Sequence, residues 1–131
     1  ALGRDPDCGV VLLYAESFGD VERFRAVARE VTRRKPVVAL IGGRTPPGRE
    51  AAHRHTGSVA LADEAAEAFC RECGILRVRS LRELKLAAKV LALYPGGAGR
   101  RILVLSNSGG PGVLATDAAM LAGLQLATLP E

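Results

Sequence analysis

The sequence is poor in aromatic residues. Only 4% of its 131 residues are aromatic and none is Trp, so a core must be built from Val, Leu, Ile and Ala. Without rings to sandwich a flavin or to stack on bases, flavin binding and nucleic-acid binding are both disfavoured. The net charge of +4 is spread along the chain rather than clustered. The longest apolar runs fall far short of the roughly 20 residues that a membrane-spanning helix needs.

Cysteine is also scarce, with Cys8, Cys70 and Cys73 as the three examples. An odd number and the lack of a visible secretory signal indicate reduced thiols and a cytoplasmic location rather than a disulfide framework. Cys70 and Cys73 form CREC at a predicted helix end, where the helix dipole opposes thiolate formation. We interpret this pair as small core residues and not as a redox pair.

The residues that are present alternate between short apolar runs and helical patterns. Helices are predicted from Asp20, from near Ala62, from the capping box Ser80–Glu83, and after the glycine-rich turn of residues 107–112. Between them, strands are predicted at CGVVLLYAE (8–16), KPVVALIGG (35–43), ILRV (75–78), RRILVLSN (100–107) and LQLATL (124–129). This alternation predicts the α/β class, with a mostly parallel sheet and flanking helices.

Two features bear on how the chain is organised. We interpret PGGAG (95–99) as a boundary between two domains, 1–96 and 97–131. The alternative is that 97–131 forms the last βαβ unit of a single domain. The first residues resemble the tail of a helix and the chain stops one residue after Pro130, so we expect a fragment of a longer protein.

Three predicted strands are followed by polar residues that suit a ligand site. Glu16 ends the first strand, a polar loop of roughly 17 residues from Gly42 to Ser58 follows the second, and NSGGPG (107–112) follows the fourth. Ligands bind beyond the carboxyl ends of parallel strands, and in one sheet these three segments would share an edge. Glycines and a helix N-terminus make NSGGPG a candidate phosphate cradle, the alternative being a tight turn without a ligand.

The two histidines of the chain lie together in the second of these segments, as HRHTGS (53–58). No cysteine or carboxylate stands at the spacing of a compact metal site, so no metal site is predicted. Two solvated side chains are the plainer interpretation, and a nucleophilic or acid–base histidine is the sharper one.

Several segments together resemble the NDP-forming acyl-CoA synthetases, relatives of succinyl-CoA synthetase. They are VVLLYAES, RKPVVALIGGR, HTGS, ADEAAEAF, SLRELKLAAKVLA and SNSGGPGVLATDA, and they cover nearly the whole chain. The resemblance implies a flavodoxin-like, succinyl-CoA synthetase-like phosphohistidine domain. It also implies an acid–thiol ligase that converts acyl-CoA, ADP and phosphate into a carboxylate, CoA and ATP, with the phosphoryl group carried on a loop histidine.

The resemblance assigns roles to particular residues. It matches the phosphorylated histidine with His55, not His53, and its orienting glutamate with Glu16. Gly57 and Ser58 complete the motif on a loop that is expected to swing. The residues matched to a phosphate-binding helix start that faces the phosphohistidine are Asn107, Ser108, Gly109, Gly110 and Gly112.

The chain departs from the family pattern after HTGS, where Leu61 and Ala62 stand in place of Gly and Ser. The CoA-binding and ATP-grasp domains have no counterpart in these residues. We therefore expect them as partner domains or subunits, with CoA and Mg-nucleotide as substrates of the complete enzyme, no cofactor in the fragment, and an inactive fragment on its own.

The identity of the acyl group, the choice of ADP or GDP and homo-oligomer formation stay open. The alternative function is a non-catalytic ligand-sensing module, as in relatives fused to a protein acetyltransferase. Retention of His55 and Glu16 favours the enzyme.

Overall fold

The computed structural model describes residues 1–57, 59–94 and 99–128. They fall in two compact units, Ala1–Pro95 and Gly96–Glu131. The first unit contains a 3-10 helix (Leu2–Arg4), strands β1 (Val11–Ala15), β2 (Val37–Ile41) and β3 (Leu76–Val78), and helices α1 (Val21–Thr32), α2 (Pro46–Thr56), α3 (Asp63–Glu72) and α4 (Leu81–Leu93). The second contains β4 (Arg101–Ile102), α5 (Gly109–Leu121) and β5 (Gln125–Leu126).

The first unit is built on a parallel three-stranded sheet in the order β1-β2-β3. Val11 pairs with Val37 at the start of the β1–β2 ladder, and Val38 pairs with Leu76 between β2 and β3. The central strand β2 is almost wholly buried, as its continuous run of apolar residues predicts for a strand covered on both faces. The α/β class with a parallel sheet and flanking helices is confirmed.

Helices cover the two faces of this sheet with separate apolar clusters. On one face, α1 and α3 pack against β2, and the three phenylalanines Phe18, Phe24 and Phe69 meet with ring centroids 4.7–5.9 Å apart. On the other face, α4 places Leu84 against Val38. The three phenylalanines are thus concentrated in one cluster, where large side chains bury the most area.

Several local predictions are confirmed by the structure. The Asp20 carboxylate accepts a hydrogen bond from the Arg23 N–H at 3.0 Å, and the Ser80 hydroxyl accepts one from the Glu83 N–H at 3.1 Å. The Glu83 carboxylate reaches back to the N–H of Arg79, one residue before the helix cap. At the starts of both helices, these side chains accept hydrogen bonds from amide groups that would otherwise lack partners.

The CREC cysteines lie buried at the C-terminal end of α3, and all three cysteines are free thiols. Burial raises the pKa of Cys70 to about 11 and also raises the pKa of Cys73. Neutral, buried thiols fit the interpretation as core residues.

The prediction of a polar loop from Gly42 to Ser58 is wrong, because most of this segment forms helix α2. The Thr45 hydroxyl caps this helix by accepting the Gly48 N–H at 3.2 Å, and two prolines occupy its first positions. Proline suits this place, since its missing N–H would have no helical partner there. Gly57 ends the helix in the left-handed conformation, with φ of 69°. Ser58 lies outside the described residues.

The three strand ends do not share one sheet in the part of the chain that the structure describes. β4 pairs with β5 in a separate parallel sheet of two strands, with Arg101 opposite Gln125. The NSGGPG segment therefore follows a strand of the second unit, and α5 already begins at Gly109 within it. Across the described ranges, no helix is long and apolar enough to cross a membrane.

Candidate functional site

Strand β1 places Glu16 directly beyond its carboxyl end. The Glu16 side chain is only 19% exposed, and each of its oxygens has a partner. Oε1 accepts a hydrogen bond from the Tyr14 hydroxyl at 3.2 Å, and Oε2 lies 3.3 Å from Nδ1 of His55. A half-buried carboxylate needs such partners, because desolvation without them is costly.

Helix α2 places His55 in its last turn, facing Glu16. Ala52 is the buried residue of this helix. Near the end of the helix, the Thr56 hydroxyl donates a hydrogen bond to the Ala52 carbonyl at 2.9 Å. The His55 side chain itself is 78% exposed. The ring is thus held on the side of Nδ1 and accessible on the side of Nε2.

A cleft of about 320 Å³ lies between the ends of β1 and β2 and helix α2. The paired glycines after β2 let these elements approach closely. A Cβ on Gly42 would stand 3.3 Å from Cγ of Glu16 and 3.4 Å from the Tyr14 hydroxyl, and Gly43 has a φ of +72°. The lining residues are Tyr14, Glu16, Gly42, Gly43, Gly48, Ala51, Ala52 and His55.

This geometry suits a nucleophilic imidazole. A carboxylate beside Nδ1 favours the tautomer that carries its proton there, which leaves the lone pair on Nε2. No residue that the structure describes makes a hydrogen bond to Nε2 of His55. His53 is two positions earlier, about 200° around the helix, so α2 presents it in another direction than His55.

Tyr14 is the residue of this site that the sequence analysis missed. Its hydrogen bond to Glu16, followed by burial and by the Glu16 charge, raises the pKa of Tyr14, so the hydroxyl stays a donor at neutral pH. The signal was present in the sequence, because residues two apart on a strand share a face.

The second unit contains the other candidate segment, at the start of α5. No side chain caps this helix, and the Ser106 hydroxyl instead accepts the Ser108 N–H at 3.1 Å and donates to the Ser108 carbonyl. A Cβ on Gly109 or Gly110 would meet nothing within 4 Å. Gly109 borders an open cleft of about 440 Å³, together with Ser106, Asn107, Ser108, Gly112 and Thr116. The N–H groups of the first turn are therefore open to an anion.

Within the described residues, no three or more His, Cys, Asp or Glu side chains are grouped to hold a metal ion. A cluster of ion pairs lies elsewhere in the first unit. Arg77, whose side chain is 6% exposed, contacts Asp63 and Glu67, and Asp63 also meets Arg44 at 3.4 Å. Arg77 lowers the pKa of Asp63, and the Arg44–Asp63 contact links the segment after Gly43 to the start of α3.

Almost the whole length of this chain is similar to parts of longer known proteins. It is 38% identical to the alpha subunit of acetate–CoA ligase (ADP-forming) I of Pyrococcus furiosus, over 93% of this chain and 26% of that subunit. It is 40% identical to acetate–CoA ligase (ADP-forming) I of Archaeoglobus fulgidus, over 96% of this chain and 18% of that enzyme. Both relatives are acid–thiol ligases by name.

A solved structure gives the same picture. The dinucleotide-forming acetyl-coenzyme A synthetase 1 of Ca. Korarchaeum cryptofilum, in complex with phosphate and ADP, superposes with a TM-score of 0.87 and 36% identity. The match covers 98% of this chain and 28% of that one. The chain thus spans between 18% and 28% of the length of these three proteins.

The family assignment rests on these likenesses and on a family model. The model of the succinyl-CoA ligase like flavodoxin domain matches residues 1–91, which contain the parallel sheet, Glu16 and His55. The chain belongs to the succinyl-CoA ligase like flavodoxin domain family.

Proposed function

We propose that this chain is the phosphoryl-carrying part of an ADP-forming acyl-CoA synthetase, with His55 as the carrier. The observation that carries the proposal is the 3.3 Å contact between Nδ1 of His55 and the Glu16 carboxylate. A solvated surface histidine does not need a half-buried carboxylate, whereas a nucleophilic imidazole does. The likeness to ADP-forming acetate–CoA ligases supports the reaction class.

The proposed reaction proceeds in three displacements. Phosphate attacks the thioester carbonyl, the C–S bond breaks, and acyl phosphate and CoA form. Nε2 of His55 then attacks the phosphorus, the P–O bond to the acyl group breaks, and the carboxylate leaves. Finally an oxygen of the ADP β-phosphate attacks the phosphorus, the P–N bond breaks and ATP leaves.

Glu16 stabilises the second intermediate, in which His55 is phosphorylated. With the proton kept on Nδ1, the phosphorylated ring of His55 is cationic, and the Glu16 carboxylate balances that charge. Because His55 is 78% exposed, a phosphoryl donor or acceptor held on another domain has access to Nε2. Gly57 supports this placement by ending α2 two residues after the histidine.

The proposal extends to the start of α5 as a phosphate contact. The uncapped first turn and the open surface around Gly109 and Gly110 support this role, since backbone N–H groups and a helix N-terminus favour an anion. The residues proposed for this contact are Asn107, Ser108, Gly109, Gly110 and Gly112.

The remaining parts of the reaction require other domains. We propose CoA-binding and ATP-grasp domains or subunits as partners, and CoA and Mg-nucleotide as substrates bound by them. The free thiols are in keeping with a reducing compartment such as the cytoplasm.

Phosphorylation of the complete protein tests the proposal. Incubated with ATP labelled in the γ-phosphate and with Mg²⁺, it is expected to acquire an acid-labile, alkali-stable label. His55→Ala should lose the label, and His53→Ala, the matched control on the same helix, should keep it. A label that persists in His55→Ala, or that disappears in His53→Ala alone, would contradict the assignment.

A further inference from the structure

The Tyr14 hydroxyl is the second group that holds the Glu16 carboxylate. Tyr14 and Glu16 are two residues apart at the end of β1, and Oη lies 3.2 Å from Oε1. Tyr14 is 60% exposed, so core packing does not account for its position. We propose that Tyr14 is a positioning residue, which fixes the Glu16 carboxylate so that its other oxygen faces Nδ1 of His55. This inference rests on the proposed function of His55.

A glutamate side chain has three rotatable bonds and must be held to orient a base. The Tyr14 hydroxyl is a good clamp, because its ring has two torsions and its backbone is fixed in the ladder opposite Leu40. Gly42 makes the arrangement possible, since its missing Cβ would stand close to both Glu16 and the Tyr14 hydroxyl. Three residues from two strand ends thus define one carboxylate position.

The hydrogen bond also affects where the proton resides. With Oε1 engaged by the Tyr14 hydroxyl, Oε2 faces Nδ1 of His55 and favours the tautomer that carries its proton there. The phosphorylated ring then stays cationic, and the P–N bond remains easy to break when a nucleotide attacks. Tyr14 acts through Glu16 and touches neither the phosphoryl group nor its donor.

The test replaces Tyr14 by Phe, which keeps the ring and removes only the hydroxyl. In single-turnover phosphorylation of the complete protein, Tyr14→Phe is expected to slow transfer on the order of 10-fold, less than loss of Glu16 itself, with the KM for nucleotide unchanged. Tyr94→Phe is the matched control, because Tyr94 is the other tyrosine of the chain, is exposed and lies outside the cleft. An unchanged rate in Tyr14→Phe would overturn the inference.

A double-mutant cycle separates positioning from other roles of the ring. If Tyr14 acts through Glu16, Tyr14→Phe should have no further effect in the Glu16→Gln background. Independent, multiplicative losses would overturn the inference and would indicate a separate role for the hydroxyl.

A second readout does not depend on turnover. The imidazole nitrogen chemical shifts of unphosphorylated His55, measured by NMR, should show a smaller fraction of the Nδ1–H tautomer in Tyr14→Phe than in the unaltered protein. If this change appears while His55→Ala still becomes labelled, the proposed function fails and the positioning stands. Unchanged shifts together with an unchanged rate mean that the hydrogen bond positions nothing.

Discussion

Replacing Glu16 by Gln removes one negative charge beside His55 and keeps the shape of the side chain. The carboxylate lies 3.3 Å from Nδ1, and in the proposed reaction positive charge develops on the ring as the phosphorus binds to Nε2. Two unit charges about 4 Å apart attract by ~1 kcal/mol in water and by ~4 kcal/mol at an effective dielectric constant of about 20. Because His55 is 78% exposed and Glu16 is 19% exposed, we expect ~1–2 kcal/mol, which is about a 5- to 30-fold loss of rate.

Loss of tautomer control adds to this electrostatic effect. The Gln amide presents either an oxygen or an NH₂ group to Nδ1, so the proton is no longer confined to that nitrogen. The combined loss should reach about 100-fold, at the lower end of the roughly 10²–10⁴ that acid–base groups contribute. The free energy of unfolding should change by less than about 1 kcal/mol, since a neutral amide is less costly to bury than a carboxylate.

Rapid-quench phosphorylation of the complete protein measures the loss of transfer rate, and urea unfolding measures the change in the free energy of unfolding. Glu50→Gln is the matched control, because Glu50 lies on α2 with the same charge but pairs with exposed Arg54 at 3.6 Å. It should transfer phosphoryl groups at the normal rate. Near-normal transfer in Glu16→Gln, or an equal loss in Glu50→Gln, would refute the reasoning.

Three further predictions concern the rest of the chain. Asp63→Asn should lower the free energy of unfolding by about 1–2 kcal/mol at pH 7, because Arg77 loses a charged partner. Since the pKa of Asp63 is lowered in the folded protein, the difference measured by urea unfolding should be complete above about pH 4 and shrink as the pH falls below it. Cys70 has a pKa raised from 9.0 to about 11, so its contribution to stability should be complete below pH 9 and lost as the pH rises towards 11, a pH dependence that Cys70→Ala should reduce. The 131-residue chain alone should show no synthetase turnover and should bind phosphate weakly, seen as amide NMR shifts at Gly109 and Gly110; shifts scattered over basic residues, with these glycines silent, would contradict the assigned contact.

Local features followed from the sequence because they depend on neighbouring residues. A continuous apolar run is enough to predict that β2 is buried on both faces, and the caps at Asp20 and Ser80 are read from the residues that follow them. Helix α2 had equally local signals, in Thr45 before two prolines and in Gly57. The sequence nevertheless favours a loop there, because the few apolar residues of α2 are small alanines, which give a weak helical pattern.

Pairings between distant segments were decided by the tertiary structure. An apolar strand pattern indicates burial but does not name the neighbouring strand, because backbone hydrogen bonds are the same for every partner. For this reason the sequence leaves open whether β4 joins the first sheet, and the structure pairs it with β5. The family resemblance named Glu16 and His55 as partners, but these residues are 39 positions apart.

Only the packing of α2 over the end of β1 brings the Glu16 carboxylate to 3.3 Å from Nδ1 of His55. The contact between Tyr14 and Glu16 depends on the tertiary structure as well. Alternation along β1 puts its ring on the Glu16 side, but the space left by Gly42 decides that its hydroxyl reaches the carboxylate. The residue pattern indicates which side chains suit a nucleophile and the base that orients it. The tertiary structure decided which of their atoms meet, because hydrogen bonding requires an alignment to within a few tenths of an ångström that no residue pattern specifies.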